Sequence, residues 1–224
     1  MFKQVLTSAL FAGFAAGLIA AALQLVFVQP VLLAAELYES GEMTHFDGSG
    51  SAPVMAMQFS PVRDLLSIMF SALIYVGYAM LLVSLMALAT LRDVAITPRS
   101  GVVWGLAGFV ALHLAPAFGL PPELPGSAAV DVGVRQVWWV STVVATGVGL
   151  WLIAFGNGLI WLGLGIIAIL APQIVGAPHP ETLSGPVPPE LAALFSARAL
   201  AVGLAAWVAL GTFAAIVWLR ESSD

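Results

Sequence analysis

Long apolar stretches alternate with short polar ones along this chain. Apolar runs cover about Val5–Val28, Leu65–Leu91, Gly101–Phe118, Val134–Phe155, Leu159–Pro172 and Arg198–Leu219. A helix needs about 20 apolar residues to cross a hydrocarbon core, and five of the six runs approach or exceed that length. The fifth is short and either thins the bilayer locally or continues past Pro172. The runs are apolar all round rather than alternating, which argues against barrel strands and predicts helices. The expectation is an all-α polytopic membrane protein, one membrane domain over 1–224. Its six transmembrane helices form three sequential hairpins at 1–91, 100–155 and 158–224.

The polar breaks repeat. His113-Leu114-Ala115-Pro116 ends the third run, Gly119-Leu120-Pro121-Pro122-Glu123-Leu124-Pro125-Gly126 follows, and Arg135-Gln136-Val137-Trp138-Trp139 opens the fourth. A weaker copy runs through Leu170-Ala171-Pro172, His179, Pro188-Pro189-Glu190-Leu191 and Arg198. A fainter one precedes both, in Gln29-Pro30, Ala35-Glu36-Leu37, His45 and Arg63. Each copy holds a proline ending an apolar run, a Glu-Leu pair, one of the three histidines and an arginine opening the next run. Residues 36–58 and 173–197 read as loops, Arg92-Asp93 to Pro98-Arg99 as a turn, and Gly156-Asn157-Gly158 as a tight turn that favours glycine.

Composition agrees. The chain is 61% hydrophobic and only 8% charged, with mean hydropathy +1.03, against about a quarter charged in soluble domains. The run after Lys3 is longer than the roughly 7–15 residues of a signal-peptide core, so it is read as a retained span. The absence of cysteine removes disulfides, thiolate metal sites and cysteine nucleophiles. A net charge of −5 with no basic cluster argues against nucleic acid.

With the N-terminus inside, the inner face carries four Lys/Arg and three acids, the outer face three arginines and nine acids. The positive-inside difference is small but has the right sign, and the tryptophans fall near the two interfaces. On this map the histidines and Glu36, Glu123 and Glu190 gather on or near the outer side.

Imidazole with carboxylate suits divalent first-row metals, and the acidic loops would concentrate cations. Transporters also place broken helices at ion sites. The candidate ligands are His113, Glu123, His179, Glu190, Glu36 and His45. Bland readings stand beside them. His113 inside a span is costly and is either a ligand or hydrogen-bonded to a neighbouring helix. Pro-Pro-Glu-Leu also fits a helix start, with proline in the first turn and glutamate complementing the dipole. The arginines anchor helices at the head groups or pair with acidic loops. Met43, Met55 and Met57 are either soft ligands or apolar contacts. The chain has no Gly-x-Ser-x-Gly, His-Glu-x-x-His or phosphate-binding glycine loop, so no enzyme and no intrinsic cofactor is expected. Energy for uptake would come from a gradient, a partner or the membrane potential, worth about 2.3 kcal/mol per charge per 100 mV.

The chain resembles the CbtA family of probable cobalt transporter subunits along essentially its whole length. The resemblance rests on Leu23-Gln24-Leu25-Val26-Phe27-Val28-Gln29-Pro30 with Ala35-Glu36-Leu37-Tyr38-Glu39, on the His113 and Arg135 blocks, and on Leu170-Ala171-Pro172-Gln173-Ile174-Val175-Gly176-Ala177-Pro178. It implies a bacterial cytoplasmic (inner) membrane protein supplying Co²⁺ for cobalamin synthesis. It also implies a small single-span partner, CbtB, and descriptions of the family give about five spans. The resulting expectation is a membrane subunit for divalent metal uptake. The rival is a structural or accessory subunit of a larger membrane complex that transports nothing. A membrane complex or a homo-oligomer is the assembly expected of the chain.

Overall fold

The computed structural model describes residues 1–43, 60–127, 130–181 and 185–221. It is all-helical over those residues. Its elements are α1 (Phe2–Glu39), α2 (Pro61–Thr90), α3 (Pro98–Ala117), α4 (Val132–Phe155), α5 (Leu159–Val175) and α6 (Pro189–Glu221). Five are long and apolar enough to cross a membrane and α5 is shorter, which matches the six apolar runs. At 1.5 Å per residue, α4 is about 36 Å long and α5 about 25 Å, against about 30 Å of hydrocarbon.

Two helices, α1 and α6, run well past their expected bounds. α1 does not stop at Val28 but runs to Glu39, so Glu36 is helical rather than in a loop. The chain passes Pro30 because Gln24–Val28 is a π turn, and the proline then falls in the first turn of the next α segment. At that junction the hydrogen-bond register changes, and the proline's missing N–H is tolerated. α3 repeats the device: Val110–Leu114 is a π turn, and Pro116 falls in the first turn of Ala115–Ala117. α6 begins at Pro189, nine residues before Arg198, and so contains Glu190.

The chain falls into two compact units. One comprises Met1–Phe27, Met57–Phe109 and Ala201–Asp224, the other Val28–Ala56 and Val110–Leu200. Within the first, α1 lies on α2 at Gly13 and Gly17, and Ala9, Ala12, Ala16 and Ala20 of α1 are wholly buried. The approach is backbone to backbone, since a Cβ on Gly17 would meet Ala72 Cα at 2.5 Å. Such contact is how helices associate in lipid, where apolar burial gives little drive. α3 meets α6 through Gly101, Gly105 and Gly211, and Gly108 receives the face of Trp207. Three side-chain bonds close this unit. Gln24 accepts from Ser71 Oγ at 3.1 Å, Gln4 donates to the Trp218 carbonyl at 3.2 Å, and Asp64 accepts from the Ser60 N–H at 3.1 Å.

In the second unit α4 and α5 pack through Gly149 and Gly165, where a Cβ on Gly149 would meet the Gly165 carbonyl at 2.6 Å. The closest helix contacts therefore join α1 with α2, α3 with α6 and α4 with α5, in addition to the order in which loops connect them.

Candidate functional site

The second unit brings parts of the three repeated motifs together at one end. Val31, Ala34 and Ala35 of α1, Leu124 of the α3–α4 loop and Leu191 of α6 form one buried apolar cluster, with Tyr38, Val187 and Phe195 packed against it. The Glu-Leu pairs explain the geometry. Leu124 and Leu191 turn inward, and the preceding Glu123 and Glu190 stay exposed. In α1 the pattern is offset by one, with Ala35 buried and Glu36 exposed. A Cβ on Gly126 would lie 3.4 Å from both Glu39 Cγ and Pro186 Cγ, so the end of α1 and the two proline loops meet there. Gly126 has φ +77°, a conformation that glycine adopts without strain.

The two Pro-Pro-Glu-Leu copies differ. Pro189 and Glu190 open α6, as the helix-start reading requires. Glu123 does not start a helix; residues 121–124 are non-helical and precede a turn at Pro125-Gly126. Its carboxylate accepts from Arg135 Nη2 at 2.6 Å. Arg135 thus pairs with an acidic loop, one of the two roles expected of it. The loop is also held from α6, where Ser196 Oγ donates to the Pro122 carbonyl at 2.6 Å.

His113 lies in the π turn of α3 and is half-buried. His179, after α5, is exposed, as are Glu36 and Glu190. His45 lies outside the described residues. Among the described residues, no three His, Asp or Glu side chains are grouped closely enough to hold a metal ion. The fold thus brings the segments bearing Glu36, Glu123 and Glu190 to one end of this unit, and among the described residues no closed ligand set is assembled.

Two contacts were not anticipated. Trp138 Nε1 of α4 donates to the Pro172 carbonyl of α5 at 3.2 Å, and Gln173 Nε2 of α5 donates to the Ala115 carbonyl of α3 at 2.9 Å. Both residues stood inside the repeated motifs, but nothing in the spacing says which backbone carbonyl each reaches.

A family model described as "Probable cobalt transporter subunit (CbtA)" matches residues 2–219. No curated protein and no solved structure matches the chain.

Proposed function

From membership of the CbtA family, to which this chain belongs, we propose that it is the membrane subunit of a Co²⁺ uptake system that supplies cobalamin synthesis. It works in the bacterial inner membrane with its N-terminus cytoplasmic and with a small single-span CbtB-like partner. The observation that supports this reading is the convergence of three acid-bearing segments on the cluster of Val31, Ala35, Leu124 and Leu191. That end of the unit attracts cations by charge. His113, in a π turn of a membrane helix, and Glu123 act as the principal ligands, aided by His179, Glu190, Glu36 and His45. In the resting protein Glu123 is held by Arg135, so an arriving ion displaces the guanidinium to gain the carboxylate. Cobalt ranks below nickel and copper in intrinsic affinity, so geometry or the partner supplies selectivity.

The test is accumulation of radiolabelled Co²⁺ in cells expressing the chain with and without the partner. His113→Ala and Glu123→Ala each reduce uptake at unchanged protein level if the assignment is right. Full uptake in both variants removes these ligands, and no uptake by the native pair removes transport itself and leaves an accessory role.

A further inference from the structure

α5 is apolar from Leu159 to Val175 apart from one amide, that of Gln173. An amide in a membrane helix needs a partner, because lipid supplies none. Gln173 finds it on another helix, donating to the Ala115 carbonyl 58 residues away in sequence. The Gly119 N–H, which would reach Ala115 in a continuing α-helix, bonds Pro116 instead. The side chain of α5 therefore serves a carbonyl at a helix end.

Ala115 directly follows the π turn Val110–Leu114. A π turn is one residue wider than an α turn. Moving it along the helix by one residue turns the side chains it passes by about 100°. Whatever fixes the turn therefore fixes the direction in which His113 points. The rest of the surroundings hold the same place. A Cβ on Gly119 would meet Ala177 Cβ at 2.6 Å and the Trp138 ring at 2.7 Å, while Trp138 also bonds Pro172, the neighbour of Gln173.

We infer that Gln173 is a positioning residue for transport: through the Ala115 carbonyl it locks the register of the π turn and so the orientation of His113. The inference rests on the proposed role of His113 as a ligand. Gln173 is not a ligand in this reading.

The test compares Co²⁺ uptake kinetics, with Ni²⁺ as competitor, for the native chain, Gln173→Met, Gln173→Asn and His113→Ala, each expressed with the partner. Methionine keeps the volume and loses the donor; asparagine keeps the amide but is one methylene too short to reach. Both variants raise the half-saturating Co²⁺ concentration about 10-fold, the usual scale for losing a group that orients a ligand, and both weaken the preference over Ni²⁺. The maximal rate, scaled to protein in the membrane, stays within about twofold. A purely structural role would lower the amount of protein and leave the half-saturating concentration unchanged. If methionine prevents insertion, asparagine decides. Native affinity in the Gln173 variants, with uptake lost in His113→Ala, overturns the inference alone. Native uptake in His113→Ala overturns the ligand reading and this inference with it.

Discussion

Arg135 Nη2 lies 2.6 Å from Glu123 Oε2, joining the first turn of α4 to the loop that ends α3. Both side chains are partly exposed, and such pairs contribute only about 0.2–1 kcal/mol. If a cation must take the carboxylate from the guanidinium, removing the arginine helps it bind. Arg135→Gln should therefore lower the half-saturating Co²⁺ concentration by about 1.4- to 5-fold, the equivalent of that energy range. Uptake at low Co²⁺ measures this directly. A weaker apparent affinity would mean that Arg135 orients Glu123 rather than competing for it.

The buried indole of Trp138 ties α4 to the proline turn of α5 by a hydrogen bond that a phenylalanine could not reproduce. Trp138→Phe leaves the Pro172 carbonyl with the Gly176 N–H as its partner, so the loss is partial. The expected destabilisation is about 0.6 kcal/mol and no more than about 1.7, the average and upper value for side-chain hydrogen bonds between membrane helices. Unfolding of the detergent-solubilised protein, followed by tryptophan-independent circular dichroism, gives the value. A variant as stable as the native chain would show that this bond carries no net weight.

Much of this arrangement was legible in the order of apolar and polar residues. Six runs gave six helices, and the repeated Glu-Leu pairs marked the segments that share an end: Leu124 and Leu191 are buried beside exposed acids, while in the first copy Ala35 takes the place of Leu37. The helix ends were not legible. Pro30 read as a stop because proline usually is one, and the π turn that lets α1 continue has no sequence mark of its own. Glu123 and Glu190 sit in the same four-residue motif, yet only the second opens a helix. What separates them is tertiary: Arg135 and Ser196 hold the first motif as a loop. The acceptor carbonyls of Gln173 and Trp138 were equally hidden, since a backbone carbonyl carries no residue identity.

The glycines separate into two classes with opposite expectations. On α1, a Cβ at Gly17 meets Ala72 Cα at 2.5 Å, so Gly17→Val forces two backbones apart. Overpacking of this kind costs about 1–3 kcal/mol or more. On α2, Gly77 has open space where its Cβ would lie, and alanine there gains helix propensity worth up to about 1 kcal/mol. Gly17→Val should lower both the thermal midpoint and the amount of protein in the membrane, while Gly77→Ala keeps or raises them. Equal behaviour of the two would count against the close α1–α2 contact.

The path of α5 is open to a direct chemical test, because the chain has no cysteine to mask. Gly185 and Pro186, beyond α5, lie against Gly126, beyond α3. Asn157 sits at the far end of α4, about 36 Å along that helix from Asp131. For Gly185 to rejoin Gly126, α5 must return across the thickness that α4 has crossed, although 17 residues span only about 25 Å. Single cysteines at Pro122 and His179 should thus react with a membrane-impermeant maleimide from one side, and a cysteine at Asn157 from the other. With the N-terminus cytoplasmic, Pro122 and His179 label in intact cells whose outer membrane has been permeabilised, and Asn157 labels only after lysis. Labelling of His179 from the side of Asn157 would make α5 a re-entrant segment, and the acidic loops would then not share a face.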